Sequence, residues 1–261
     1  RGHLFDGVVC LVGCDKTIPG AAMAVARLDL PSVILYNGTI LPGVYKGKNQ
    51  DIVSVFEAVG AYRAGKITLD ELYAVENAAC PGPGACGGQF TANTMAIAFE
   101  FLGISPMGRN GVPAMDTHKD DVAFECGKMV MDLIRRDLRP KQIITRKSIE
   151  NAVALIMATG GSTNAVLHYL AIAHAAEVKW TIDDFERVRR RVPLLCDLKP
   201  SGRYVAVDFH RAGGVPQVLK ILLANGLLHG DCMTITGKTM AEELRSIPAV
   251  PAKNQDVIRP F

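Results

Sequence analysis

The chain has 261 residues, with 29 Lys or Arg against 26 Asp or Glu, which gives a formal net charge of +3. Apolar residues make up 49% and charged residues 21%, a balance typical of a folded globular chain and not of a disordered tail. A charge this close to zero predicts neither a nucleic-acid partner nor binding to an anionic membrane surface. The sequence contains no uncharged apolar run of about 18 residues, so no membrane span is predicted.

The amino-terminal part predicts a strand–helix–strand unit. Residues 4–13 form an apolar run typical of a buried strand, and residues 17–28 predict a helix with Thr17 as its cap. Residues 31–36 predict a second strand, rich in β-branched side chains. Two strands joined by a helix over about thirty residues make a βαβ unit with parallel strands.

The rest of the chain predicts mostly helices. They cover residues 51–64, 68–78, 90–102, 119–136, 148–158, 163–177 and 181–190. Thr68 and Glu71 have the spacing of a capping box, and strand character returns at 204–209 and 232–236. We therefore predict a helix-rich αβα domain with a mainly parallel sheet over residues 1–247, followed by a proline-marked linker at 248–261.

The seven cysteines are an odd number spread thinly over the chain. This is too sparse for a disulfide scaffold and indicates a reducing compartment, for which we expect a bacterial cytoplasm, with a plastid or mitochondrion as alternatives. Four of the cysteines are predicted to be small core residues. They are Cys10, Cys126, Cys196 and Cys232.

Cys14, Asp15 and Lys16 follow the first predicted strand directly. In open α/β sheets, ligands bind where the carboxyl ends of strands meet the amino ends of helices. A thiol, a carboxylate and an amine side by side suggest a site there. The alternative is a packed cysteine next to a surface ion pair.

A second candidate is the sequence CPGPGACGG at 80–88, which leads into a helix. Its glycines let the backbone approach a ligand closely, and the helix amino terminus favours anions and thiolates. Such a loop suits an iron–sulfur cluster or a phosphate. The spacing of Cys80 and Cys86 is not that of a zinc ribbon, and no Walker motif is present.

A third candidate is the sequence GGSTN at 160–164, between two predicted helices. Ser162 or Thr163 can cap the second helix, or backbone N–H groups there could hold a carboxylate. His168 and His174 are six residues apart on that helix, so they cannot share a metal ion. The basic run at Arg189, Arg190 and Arg191 is predicted to be a solvated face.

Together the three motifs resemble the dihydroxy-acid dehydratase family, which includes the 6-phosphogluconate and sugar-acid dehydratases. The matching segments are GCDKTIPG at 13–20, ACPGPGACGGQFTANTMA at 79–96 and GGSTNAVLH at 160–168. The resemblance implies that Cys14 and Cys86 ligate an iron–sulfur cluster, [2Fe–2S] rather than [4Fe–4S]. It also implies that Asp15 and Lys16, the latter as a carbamate, bind Mg²⁺, with Cys80 structural and the protein a homodimer.

The implied reaction is the dehydration of a 2,3-dihydroxy carboxylate to a 2-keto acid in branched-chain amino-acid biosynthesis. The family has a further cluster cysteine and a metal-binding aspartate before the first motif. It also has a β-rich carboxyl-terminal domain with a metal-binding glutamate and the serine base. We therefore expect an interior fragment that contains no catalytic base and is inactive alone, and we assign no substrate-binding residue.

Two alternatives remain for the function. One is a sugar-acid dehydratase of the same family, which is less favoured because the cluster loop has the form typical of the branched-chain enzyme. The other is a non-catalytic α/β domain that binds phosphate through its glycine-rich loops, with cysteines that only pack.

Overall fold

The fold begins with a strand–helix–strand unit, as the sequence predicts. The computed structural model describes residues 2–261, and its first elements are β1 (Val8–Val12), α1 (Thr17–Leu28) and β2 (Ser32–Tyr36). The two strands pair in parallel, with Val8 opposite Ser32 and Val12 opposite Tyr36. Every residue of β2 is buried, which explains its uninterrupted run of apolar and small side chains.

A small hairpin and two helices form a unit with its own apolar core. It contains β3 (Gly43–Tyr45) and β4 (Lys48–Gln50), which pair antiparallel, followed by α2 (Ile52–Arg63) and α3 (Leu69–Ala79). We call residues 43–79 the α2–α3 unit. The predicted capping box of Thr68 and Glu71 is confirmed at the start of α3.

The helix α4 (Thr91–Leu102) is the centre of the domain, since all of its residues are buried. Its Glu100 carboxylate accepts the N–H groups of Gly108 at 2.5 Å and Asn110 at 2.8 Å. Burial raises the pKa of Glu100 to about 8, although the two N–H donors oppose the rise. Because the Asn110 side chain accepts the Tyr36 N–H at 3.0 Å, this network also fixes the end of β2.

Eight helices follow α4 along the described part of the chain. In chain order they are α5 (Lys119–Arg136), α6 (Pro140–Ile143), α7 (Arg146–Thr159), α8 (Asn164–Ala175), α9 (Ile182–Arg189), α10 (Ala206–Arg211), α11 (Gly214–Ala224) and α12 (Met240–Glu243), with a 3-10 helix at Leu244–Ser246. The helix α7 packs against α4, and α8 packs against α1. None of the helices in the described residues is both long and apolar enough to cross a membrane.

Two predicted strands are wrong, and the parallel sheet is limited to β1 and β2 within the described residues. At 204–209 the chain forms α10 instead, because the Asp208 carboxylate accepts the Val205 N–H at 3.1 Å and starts a helical turn. At 232–236 it forms a tight loop with one isolated bridge, between Met233 and Thr239. The side chains that suggested strands at both places are mostly buried in a helix or a loop and do not form a sheet.

The carboxyl-terminal segment packs against the domain. The Asp197 N–H donates to the Val257 carbonyl at 3.0 Å, and the Arg259 N–H donates to the Leu195 carbonyl at 2.8 Å. Ile258 is only 1% exposed. Whether residues 248–261 lead to a further domain stays a prediction.

Candidate functional site

The first two motifs meet at the carboxyl ends of β1 and β2. Cys14 follows β1, and the backbone after β2 pairs with the glycine-rich loop at 80–88. The Ile40 N–H donates to the Ala85 carbonyl at 2.8 Å, and the Ala85 N–H donates to the Gly38 carbonyl at 3.0 Å. The loop that contains Cys86 therefore lies at the edge where ligands of open α/β sheets bind.

Gly84 gives this loop a conformation that other residues cannot adopt without strain. Its φ is +135°, and a Cβ built on it would lie 2.5 Å from the Ile40 nitrogen. Gly87, in the same loop, would place a Cβ at an ordinary 3.7 Å from the Ile40 Cγ2 atom. The close approach of Gly84 to Ile40 is thus what requires glycine at that position.

Asp15 lies between the functional groups of its two neighbours. The Cys14 Sγ donates to its Oδ1 at 3.3 Å, and the Lys16 Nζ donates to its Oδ2 at 3.0 Å. The bond from Lys16 holds the pKa of Asp15 below its usual value. Cys14 and Lys16 are exposed, so this group of side chains is open to a ligand from solvent.

The Cys86 thiol is affected by burial and by its neighbours. Burial raises its pKa, and the nearby charges of Cys14, Asp15 and Cys80 add to the rise. A thiol whose pKa is raised by anionic neighbours becomes a thiolate most readily when a cation binds beside it. Cys14 and Asp15 therefore lie near enough to Cys86 to affect its thiol.

Polar side chains that the sequence analysis did not single out hold the Cys86 backbone. Its carbonyl accepts from the Thr39 Oγ1 at 2.8 Å and from the Asn93 Nδ2 at 2.6 Å. Asn93 also donates to the Gly88 carbonyl at 2.7 Å and accepts from the Tyr36 hydroxyl at 2.9 Å. Asn93 lies within the motif at 79–96 that carries the family resemblance, so the sequence did contain a signal for this residue.

The GGSTN motif is tied to the first turn of α4. The Ser162 and Thr91 hydroxyl oxygens are 2.9 Å apart, and the Asn164 side chain donates to Thr91 at 3.0 Å. The Asn164 N–H donates to the Ser162 side chain at 3.2 Å, whereas Thr163 makes no capping bond. The Ser162 N–H donates to the Thr94 hydroxyl at 3.0 Å, so these N–H groups are not open to a carboxylate.

His168 is the second residue that the sequence analysis did not assign to the site. It is 6% exposed, and its Nε2 has no hydrogen-bond partner among the described residues. Burial lowers its pKa, the charge of Lys16 lowers it further and Asp15 opposes, which places the imidazole near the Asp15–Lys16 pair. His174, six residues later on the same helix, is exposed.

Of the other five cysteines, four pack in or against the core, as predicted. Cys126, Cys196 and Cys232 are buried, and Cys10 packs against the core from β1. All seven cysteines are free, so no disulfide forms within the described residues. Cys80 is exposed at the end of α3, and its predicted structural role stays a prediction.

The arginines of the basic run are exposed, as predicted, and they form ion pairs on the surface. Arg189 and Arg190 pair with Glu186, and Arg191 pairs with Glu150.

The side chains at this edge of the sheet are of the types that bind an iron–sulfur cluster and Mg²⁺, but there are too few of them for a complete site. Thiolates are the usual ligands of iron–sulfur clusters, and carboxylate oxygens are preferred by Mg²⁺. In residues 2–261, however, no three His, Cys, Asp or Glu side chains are grouped so as to hold a metal ion. Lys16 carries an ammonium group here, which cannot ligate a cation. The chain thus supplies part of a ligand set.

Comparison with known proteins agrees with the three motifs. Residues 1–243 match the family model described as "Dihydroxy-acid/6-phosphogluconate dehydratase N-terminal". The whole chain is 59% identical to dihydroxy-acid dehydratase 2 of Burkholderia lata and 61% identical to a dihydroxy-acid dehydratase of Nostoc sp., covering 47% and 46% of those proteins. A dihydroxy-acid dehydratase of Thermosynechococcus vestitus is 59% identical over 98% of this chain and 46% of its own length. The chain spans about half the length of these relatives.

Proposed function

This chain belongs to the dihydroxy-acid/6-phosphogluconate dehydratase N-terminal family, and on that premise we propose that the complete protein is a hydro-lyase acting on a 2,3-dihydroxy carboxylate. The product is the 2-keto acid, and the pathway is branched-chain amino-acid biosynthesis. One observation supports this most strongly: Cys14 follows β1, and the loop that contains Cys86 pairs with the backbone after β2, so both motifs lie at the same edge of the sheet. The names of the similar proteins support the choice of substrate.

Cys14 and Cys86 are the residues of this chain that would hold an iron–sulfur cluster, which we propose to be [2Fe–2S]. When bound, its iron supplies a Lewis acid for the departing hydroxyl group, and Mg²⁺ supplies positive charge at the substrate carboxylate. Further ligands come from other parts of the complete protein. The bonds from Thr39 and Asn93 to the Cys86 carbonyl orient this ligand before it binds iron.

Asp15 and Lys16 would provide oxygen ligands for Mg²⁺. The Lys16 ammonium first releases one proton to solvent. The neutral amine then attacks CO₂, an N–C bond forms and a second proton leaves, so that the cationic side chain becomes an anionic carbamate. A carbamate offers the hard oxygen atoms that Mg²⁺ prefers. Asp15 already contacts the Lys16 Nζ at 3.0 Å, so the two ligands start side by side.

The catalytic base, the substrate contacts and a homodimeric assembly are proposed to involve parts of the complete protein beyond these residues. The seven free cysteines support a reducing compartment, which we propose to be a bacterial cytoplasm.

The test compares the complete protein with variants of the two cysteines. Cys14→Ala and Cys86→Ala should each lose the visible absorbance of the cluster and most of the iron, because each removes one thiolate ligand that solvent does not replace without loss of affinity. Cys10→Ala is the matched control, since Cys10 lies in β1, four residues before Cys14, and it should retain both. Keto-acid formation from 2,3-dihydroxyisovalerate should follow the iron content.

Two further arms separate the alternatives. Faster turnover of a sugar acid than of 2,3-dihydroxyisovalerate would favour the sugar-acid dehydratase. A colourless wild-type protein that binds inorganic phosphate would favour the phosphate-binding domain. The 261-residue chain alone should form no keto acid, and turnover by it would contradict the expectation that it is part of the enzyme.

A further inference from the structure

The helices α2 and α4 have the same apolar content but very different burial. Each is 12 residues long, and eight of those residues are apolar. Every residue of α4 is buried, whereas Ala58 is the one buried residue of α2. A helix with apolar side chains around its whole circumference is typical of a protein interior. The composition of α2 therefore suits an environment that residues 2–261 alone do not provide.

The α2–α3 unit exposes large apolar side chains on both of its helices. On α2, Phe56 is 68% exposed and Ile52 is 39% exposed, and on α3, Tyr73 is 52% exposed and Leu69 is 42% exposed. Residues four positions apart lie on one face of a helix, so each helix presents an apolar stripe. We call these four side chains the outer face of the unit.

The hairpin of β3 and β4 covers a different side of α3. Lys46, at the tip of the hairpin, forms an ion pair with Glu71. Leu69 and Tyr73 are two residues before and two residues after Glu71, and two residues turn a helix by about 200°. Both side chains therefore point away from the side that the hairpin covers, and the outer face is left open.

The core that holds the unit together is small. Its buried residues are Ala58, Leu72 and Val75, and they form a cluster separate from the main core of the domain. So few buried side chains stabilise a pair of helices only weakly. Contact of the outer face with a partner would bury apolar side chains on a second side of both helices.

The size and charge of this surface suit pairing with an identical copy. At about 200 Å² for a large apolar side chain, the four residues of the outer face expose about 400 Å². One partner of a standard-size interface buries about 800 Å², of which roughly 500 Å² is apolar. The α2–α3 unit has four Lys or Arg against five Asp or Glu, so its net charge of −1 gives little repulsion between two copies. It also offers little attraction to a strongly acidic or basic partner.

We infer that the outer face of the α2–α3 unit is the contact surface for a second copy of this chain. In a two-fold dimer the same face of each copy meets itself, so the helices of two units would enclose one shared apolar layer. The inference rests on the homodimer of the proposed function, to which it adds a defined surface within these residues.

The first experiment replaces Phe56 of the complete protein with the photo-cross-linking residue p-benzoylphenylalanine. Irradiation should join two copies, which denaturing electrophoresis detects as a product of twice the subunit mass, and peptide mapping should place the cross-link within residues 43–79 of the second copy. The control is the same replacement at Phe124 on α5, which is 67% exposed and should give no such product. An equal yield of joined copies at Phe124 would overturn the inference, as would a cross-link from position 56 only to another part of the same copy.

The second experiment measures the Kd for dimer dissociation by analytical ultracentrifugation. Phe56→Glu should raise this Kd by about 100-fold or more, because a two-fold contact places the new charge in the interface twice. Phe124→Glu should leave it unchanged, and because both side chains are exposed, neither change should unfold the protein. A wild-type Kd in Phe56→Glu would overturn the inference. A wild-type protein that forms keto acid as a monomer would also overturn it while leaving the proposed reaction intact.

Discussion

The two helices of the α2–α3 unit and the two helices that follow the motif cysteines start in different ways. At the start of α2 the Asp51 carboxylate accepts the N–H groups of Val53 at 3.0 Å and Ser54 at 3.1 Å. At the start of α3 the Thr68 hydroxyl accepts the Glu71 N–H at 3.2 Å. The first residues of α1 and α4 follow Lys16 and Phe90, and neither side chain makes a capping bond.

The starts of α1 and α4 share this property with α5 and α8, so a missing cap does not by itself mark a helix that faces a ligand, but it leaves the helix start free to do so. An uncapped amino terminus keeps N–H donors and the positive end of the helix dipole available to an anion. In α1 and α4 these ends lie next to Cys14 and Cys86. The thiolate ligands of an iron–sulfur cluster and a substrate carboxylate would bring negative charge there. Predicted cap residue Thr17 instead lies inside α1, and its hydroxyl accepts the Cys14 N–H at 3.1 Å.

The largest effect is expected for Gly84→Ala, which changes the loop that contains Cys86 and leads into α4. A positive φ is strained for alanine, and the new Cβ would overlap with the Ile40 backbone. The free energy of unfolding should fall by about 1–3 kcal/mol, and the loop should lose its place at the sheet edge. Iron content and urea unfolding of the complete protein measure both effects.

The matched control for this variant is Gly87→Ala, whose Cβ has ordinary contact distances in the same loop. It should keep a larger share of its iron and of its stability. Equal losses in the two variants would show that the loop tolerates no side chain anywhere, and the specific argument for Gly84 would be wrong.

A smaller effect is expected for Thr68→Ala, which removes the capping side chain at the start of α3. Loss of a threonine cap lowers the free energy of unfolding by about 1 kcal/mol. The iron content should not change, because α3 is capped by its own residues and contacts no ligand through that end. Thr163→Ala is the comparison, since Thr163 precedes α8 without a capping bond, and should change stability by less than about 0.5 kcal/mol. A larger loss for Thr163→Ala than for Thr68→Ala would contradict the capping assignment.

What could be predicted from the sequence depended on distance along the chain. Cys14, Asp15 and Lys16 are adjacent, and the glycine-rich loop around Cys86 is continuous, so short patterns were enough to find them. The bonds from Tyr36 and Thr39 to the Cys86 segment join residues more than forty positions apart, and only the folded chain brings them together. His168 was considered only as a partner of His174, since nothing local shows that α8 packs beside α1.

The same limit explains the wrong strands. Residues 204–209 are rich in β-branched and aromatic side chains, which is typical of a strand, yet the chain forms a helix there, with a bond from the Val205 N–H to the Asp208 carboxylate at its start. The confirmed capping box at Thr68 shows the opposite case, in which both partners lie within one turn.

Hydrogen–deuterium exchange of the complete protein, with and without its cluster and Mg²⁺, tests the central comparison most directly. Binding should slow exchange of the amides at 15–17 and 91–93, at the starts of α1 and α4, while those at 52–55 and 69–72 keep their rates. Unchanged exchange at both site helices in the loaded protein, or equal slowing in the α2–α3 unit, would contradict the account.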